Sequence, residues 1–337
     1  MTTPPPWEPA PGQPGQPPGS GPPTWDPSSL YAAGPVYPAP GVAPGAVPGY
    51  PWHAPAYLDP TDPLVPPPGA GFPAWSSRVT ASLRRSWRSL AIILGLTQAL
   101  PTLLFSVGLL VYFGTSTYTF EVAPGEEVPA DEFGAAFAVA LVPALVFALM
   151  ISFTQALGYA AATWTMVREA AGEPAPLGAA LRYGVGRMVG VWGWSLVYGL
   201  IVAGGLCLCL IPGLYFGAAL ALFGPVYLFE REHPIGRSWR MFHDNVGQVL
   251  GRVATILAVG IAFQVVVSIV QNLVSLPIAA TGSSAAQLPV AVFGAVLGAV
   301  GLVPPAMYQT AGLVIAYAEQ RARQGPLGTP GLLAELS

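Results

Sequence analysis

Every basic residue of this chain is an arginine, and all thirteen fall on one side of a sixfold alternation of apolar and polar sequence. The apolar stretches are residues 90–113, 134–164, 188–211, 213–229, 253–274 and 288–318. A helix takes about 20 residues to cross a hydrocarbon core about 30 Å thick. Five stretches meet that length, and the fourth lies at the short end of the range. Arg78, Arg84, Arg85 and Arg88 precede the first; Arg168, Arg182 and Arg187 separate the second and third. Arg231, Arg237, Arg240 and Arg252 separate the fourth and fifth, and Arg321 and Arg323 follow the sixth. The connections after stretches one, three and five hold none. Arginine-rich flanks mark the cytoplasmic face of a plasma membrane, so the pattern predicts an all-α, six-span protein with both termini inside.

Charge is segregated, so the net value of −3 describes no part of the molecule. The first outer connection carries Glu121, Glu126, Glu127, Asp131 and Glu132 and no base. Past residue 77, the inner segments hold all thirteen arginines against seven acids. That excess suits an anionic inner leaflet, where each exposed basic side chain contributes about 1 kcal/mol of attraction. Nucleic acid is not expected as a partner, because the arginines are spread over four segments that the membrane face claims first. With only 9% charged residues and 53% hydrophobic ones, the chain lies far from soluble averages.

Residues 1–77 have a different composition. They hold 24 of the 39 prolines, interleaved with Gly, Ala and the aromatics Trp7, Trp25, Tyr31, Tyr37, Tyr50, Trp52 and Tyr57. Proline at that density removes backbone donors and disfavours both helix and sheet. The segment is read as a disordered cytoplasmic arm, either a spacer or a ligand for a protein partner. A six-span domain at 78–323 and a short tail at 324–337 complete the organisation.

Each inner segment carries an apolar stripe at helical spacing with basic shoulders. Val79, Leu83, Trp87 and Leu90 are flanked by Arg84 and Arg88; Leu177, Leu181, Val185 and Met188 by Arg182 and Arg187. Ile235, Trp239, Phe242 and Val246 are flanked by Arg237 and Arg240. Such stripes describe helices lying in the membrane interface, with the arginines and Trp239 at headgroup depth. Three repeats of interfacial helix plus transmembrane hairpin follow. Ile211-Pro212-Gly213 is read as the tight outer turn of the second hairpin. Cys207 and Cys209, two apart in the third span, cannot bridge while the helix persists.

No Asp, Glu, His, Lys or Arg falls inside the six stretches. Intramembrane ionisable residues are costly and kept for function, so their absence argues against proton relays and intramembrane hydrolysis. No catalytic residue, metal ligand or cofactor site is assigned. Two polar stripes remain: Ser152, Gln155, Tyr159 and Thr163 in the second span, and Gln264, Ser268, Gln271 and Asn272 in the fifth. Carboxamides avoid lipid, so both stripes are expected to face the bundle, as interhelical hydrogen bonds or as a groove for a lipid headgroup or neutral solute. Pro101, Pro143, Pro225 and the pair Pro304-Pro305 mark kinks.

Residues 211–240 carry a resemblance. Ile211-Pro212-Gly213-Leu214-Tyr215-Phe216, Gly224-Pro225, Glu230 and Arg237-Ser238-Trp239 resemble the membrane domain that accompanies some bacterial glycerophosphodiester phosphodiesterases and also occurs alone, in YciC-type six-span proteins. The resemblance implies a fold over about 78–323. In that family hydrolysis belongs to a separate barrel with His and acidic metal ligands, for which no counterpart is read here, so phosphodiesterase activity is not carried over. The expectation is a non-enzymatic scaffold or accessory module of the cell envelope; the alternative is a permease or lipid transporter for neutral or zwitterionic cargo.

Overall fold

The computed structural model describes residues 59–67, 69–115, 130–280 and 284–337. Among them there is no strand. Helix α1 (Gly71–Leu94) runs through a π-helical turn (Gly95–Ala99) into α2 (Leu100–Thr115). Then follow α3 (Ala130–Ala170), α4 (Leu177–Leu208), α5 (Leu210–Ala219), α6 (Phe223–Glu230) and α7 (Pro234–Asp244). Helices α8 (Val246–Ala280), α9 (Ser284–Gly301), α10 (Val303–Gln324) and α11 (Thr329–Glu335) complete the order. Six stretches are long and apolar enough to cross a membrane: Gly71–Tyr112, Leu141–Ala170, Leu177–Leu208, Leu210–Glu230, Val246–Pro277 and Leu288–Gln324. The chain is an all-α, multi-pass membrane protein.

Where the helices break follows from local chemistry. The π-turn ends two residues before Pro101, whose missing N–H and bulky ring disturb the turn before it. Thr97 Oγ1 donates to the Ile93 carbonyl there (2.7 Å). Pro143 sits inside an unbroken α3. Pro304 and Pro305 occupy the first turn of α10, after a one-residue interruption at Leu302 whose backbone stays right-handed helical. The double proline therefore interrupts the sixth span without unwinding it. Pro225 lies in the first turn of α6, just past the interruption at residues 220–222.

The second hairpin turns earlier than the Pro-Gly motif suggested. Cys209 is extended between α4 and α5, and Ile211-Pro212-Gly213 forms the first turn of α5. Gly213 instead serves close packing: a Cβ on Gly205 would come within 2.9 Å of Gly213 Cα. Helix does not persist through Cys209, so the premise that kept the two cysteines apart fails there; both are free and exposed.

Two of the three interfacial stripes are not separate helices. The stripe before span three runs unbroken into α4, and the stripe before span one runs through the π-turn into α2, because no residue at either junction stops a helix. Only α7 stands alone. Arg231 ends α6 in the left-handed region (φ 57°), Pro234 starts α7, and Asn245 ends it. Arg231 is rare in that conformation, and its guanidinium donates to the Ser337 oxygen (2.7 Å).

The packed domain also reaches further at both ends than composition indicated. Residues 1–58 of the expected arm lie outside the described residues, as does 116–129 of the outer connection. Residues 59–67 and 69–77, assigned to the arm, instead contribute side chains to the core: Leu64, Val65 and Trp75 are buried. Asp62 explains why. Its Oδ1 accepts the amides of Leu64 (2.9 Å) and Val65 (2.7 Å) and the Thr329 hydroxyl (2.7 Å), while Oδ2 accepts the Thr329 amide (2.8 Å). One carboxylate thus ties the proline-rich approach to the C-terminal helix. Residues 324–337 are correspondingly no loose tail, since Leu332 of α11 and Leu336 just after it are buried.

Candidate functional site

A cavity of about 530 Å³ opens between α3, α4, α5, α8 and α10. Its polar lining comes from four places: Gln98 on the π-turn; Ser152, Gln155 and Tyr159 on α3; Ser195 and Tyr198 on α4; Gln309 and Thr310 on α10. Along their own helices these groups stand eight to sixteen residues from Arg88, Arg168, Arg187 and Arg321 respectively. At 1.5 Å per residue that is about 12–24 Å. Among the described residues, no ionised group lines the cavity.

Half of this polar set is spent on the protein itself. Ser152 Oγ donates to the Leu149 carbonyl (2.8 Å) and accepts the Trp192 indole N–H (2.9 Å). Ser195 donates to Val191 (2.7 Å), Tyr198 to Gly217 (3.2 Å) and Thr310 to Ala306 (2.9 Å), all at carbonyl oxygens. The other half has no partner. Gln98, Gln155 and Gln309 make no side-chain hydrogen bond among the described residues. The buried Tyr159 hydroxyl, with the Thr163 hydroxyl one turn away on its own helix, also has no partner in good bonding geometry, although its ring is seated so tightly that a Cβ on Gly224 would come 2.8 Å from it. Gln98 is buried, whereas Gln155 and Gln309 are exposed where the space opens. An unpaired polar group shielded from water costs free energy, which a ligand supplying partners would recover.

The stripe on α3 therefore divides. Ser152, Gln155 and Tyr159 reach the cavity; Thr163 is buried deeper, with its hydroxyl unpartnered. The stripe on α8 does not enter the bundle as a unit. Gln264, Ser268 and Asn272 line a shallow groove whose described residues all come from α8, with Gln264 and Asn272 exposed. Asn272 Nδ2 donates to the Ser268 carbonyl of its own helix (2.8 Å). Only Gln271 crosses, from Nε2 to the Gly294 carbonyl of α9 (2.8 Å). Consecutive residues differ by about 100° around a helix, so Gln271 and Asn272 cannot share a partner. Gln98 escaped the sequence reading because it stands alone at the π-turn, and Ser195 and Tyr198, three apart on α4, because two residues are too few to form a stripe.

A second polar region lies at the arginine-rich end of the bundle. Arg252 and Glu319 form an ion pair with side chains 5% and 0% exposed. Both guanidinium contacts measure 3.2 Å, and Gln248 Nε2 donates to the same carboxylate (2.8 Å). The Arg252 guanidinium also lies over Phe72 and Trp75, 5.2 and 5.3 Å from the ring centres. Trp75 in turn donates its indole N–H to the Gly312 carbonyl (3.2 Å). Nearby, Glu230 accepts Arg237 Nε (2.8 Å), Arg321 Nη1 (3.0 Å) and the Tyr317 hydroxyl (3.1 Å). Arg321 Nη2 reaches Glu335 (2.8 Å). The ionisable residues closing the apolar stretches thus turn inward and lock α1, α6, α8, α10 and α11 together.

This divides the arginines read as headgroup contacts. Arg84, Arg88, Arg182, Arg187 and Arg240 make no ion pair among the described residues. Arg237 does, with Glu230, and it also donates to Gln324 Oε1 (2.5 Å), so it belongs to the internal lock. Trp239 is exposed at the edge of an aromatic group with Tyr215, Phe216 and His243. The Tyr215 hydroxyl and His243 Nε2 are 2.7 Å apart, and His243 Nδ1 lies 2.8 Å from the Trp239 carbonyl. Facing a carbonyl oxygen, Nδ1 is the donor of that second bond.

Comparison of the chain with known protein families, characterised proteins and solved structures finds no match.

Proposed function

We propose that the protein is a non-enzymatic module of the plasma membrane, with both ends on the cytoplasmic side, that binds a neutral or zwitterionic lipid or solute in the cavity. The observation that supports this reading is the unspent hydrogen-bonding capacity of Gln98, Gln155, Gln309 and Tyr159 around one space. Polar groups that served only to hold helices together would be paired with each other, as Gln271 is with Gly294. The uncharged lining favours cargo without net charge. A permease or a lipid transporter would use such a site, and the likeness of residues 211–240 to the membrane domain of glycerophosphodiester phosphodiesterases is consistent with a lipid-linked setting. The unpaired Arg84, Arg88, Arg182, Arg187 and Arg240 would then engage anionic headgroups of the inner leaflet.

A second reading, a scaffold for another protein, rests on the proline-aromatic sequence of the arm. Native mass spectrometry of the full chain extracted in mild detergent separates the two. A stoichiometric lipid or solute is expected with the parent, reduced at least tenfold in the double variant Gln155→Leu, Gln309→Leu. A stoichiometric protein in its place would favour the scaffold, and equal retention of the small molecule in the variant would remove the cavity from the account.

A further inference from the structure

The geometry points to a narrower occupant of this cavity: an amphiphile with an uncharged, hydroxyl-bearing head, whose chains leave sideways into the bilayer. The inference rests on the binding reading above and adds the chemical class and the route. Three leucines on the cavity wall are also about half exposed: Leu206 on α4 (46%), Leu214 on α5 (57%) and Leu257 on α8 (53%). They mark where the space meets the outside, between the α4–α5 hairpin and α8. All three lie in stretches long and apolar enough to span a membrane, and an apolar side chain exposed on such a stretch is suited to face hydrocarbon. The opening is a side door to lipid.

Size and polarity then select the guest. About 530 Å³ falls in the usual range for a small-ligand pocket. It cannot enclose a diacyl lipid, whose chains alone reach across half of the ~30 Å hydrocarbon core. The head enters while the chains stay outside, against Leu206, Leu214 and Leu257. Inside, each carboxamide offers both donors and an acceptor, and the Tyr159 hydroxyl adds one of each. Hydroxyl groups, which donate and accept at once, satisfy such a set. A phosphate would bring a charge into a low-dielectric space with no arginine to neutralise it, at prohibitive cost. A phospholipid head is therefore excluded from the cavity even where the free arginines outside attract it.

Photo-crosslinking tests this on the full chain in lipid nanodiscs. The probe is a diacylglycerol carrying a diazirine on the acyl carbons nearest glycerol, and its comparator is the same lipid with the free hydroxyl phosphorylated. The diacylglycerol probe is expected to label α3, α5 and α8 at least tenfold more than the comparator. Gln155→Leu with Gln309→Leu should lower that labelling at least tenfold. Leu214→Trp, which obstructs the door without touching a polar group, should do the same; it keeps the test valid should the double variant lose monodispersity. Equal labelling by the two lipids, or labelling unchanged in the variants, overturns the inference and leaves the binding reading to the co-purification result. Suppression by free glycerol as strong as that by unlabelled diacylglycerol would mean a soluble polyol, overturning the lipid class alone. If neither lipid labels and nothing co-purifies, both readings fall.

Discussion

Replacing Glu319 by alanine is expected to destabilise the folded domain by about 3–5 kcal/mol, because it leaves Arg252 charged, buried and unpaired. The carboxylate it removes is wholly buried and holds both Arg252 and Gln248. The rings of Phe72 and Trp75 recover only part of that loss, since a cation over an aromatic face contributes about 0.5–2 kcal/mol. Substituting both partners together, Arg252→Met with Glu319→Leu, is expected to restore most of the stability, because the desolvation cost disappears with the charges. Denaturant titration of the detergent-solubilised protein, followed by Trp fluorescence, measures both variants. An alanine variant as stable as the parent would show that this pair does not hold α8 to α10.

Truncation at residue 58 and truncation at residue 77 should have opposite outcomes. Nothing in the proline-rich sequence up to residue 58 indicates a part of the core, so its removal is expected to change stability by less than about 0.5 kcal/mol. Nineteen residues more removes Asp62, Leu64 and Trp75. Losing a buried Trp side chain alone costs about 3–5 kcal/mol, and each hydrogen bond to the Asp62 carboxylate contributes about 1.5–3 kcal/mol. The shorter protein should aggregate on extraction, and Asp62→Ala in the full chain should reproduce part of the defect by releasing α11 from Thr329 onwards. Size-exclusion profiles of the three proteins decide the matter: equal monodispersity for both truncations would contradict the role given to residues 59–77.

These results bear on what a sequence of this kind discloses. The six spans were legible because hydrocarbon imposes one rule on every residue it touches, and arginine placement orders the connections. Continuity was harder to read. The stripes at Val79–Leu90 and Leu177–Met188 looked like separate interfacial helices because amphipathicity reports a surface, not an end. Only α7, bounded by Arg231, Pro234 and Asn245, carried its own stop signals. Polar sites divided in the same way. Ser152, Gln155 and Tyr159 were found as a stripe on one helix, whereas Gln98, Ser195 and Tyr198 join them only through tertiary packing. Gln264 and Asn272 had the right chemistry but the wrong azimuth. The Arg252–Glu319 pair escaped because each residue lies one step beyond an apolar stretch, where a charge normally finds water. Opposite signs on two helices at the same boundary were the available clue.

Which face of the bundle is cytoplasmic follows from arginine placement, and side-specific labelling examines that directly. Cysteines placed singly at Val122 and Gly236, with Cys207 and Cys209 changed to serine, report the two faces; Gly236 is exposed, with no atom within 4 Å of the position a Cβ would take. In intact cells treated with a membrane-impermeant maleimide, Val122→Cys should react at once and Gly236→Cys only after permeabilisation. Reaction of both positions from the same side would contradict the alternation of faces on which the account is built.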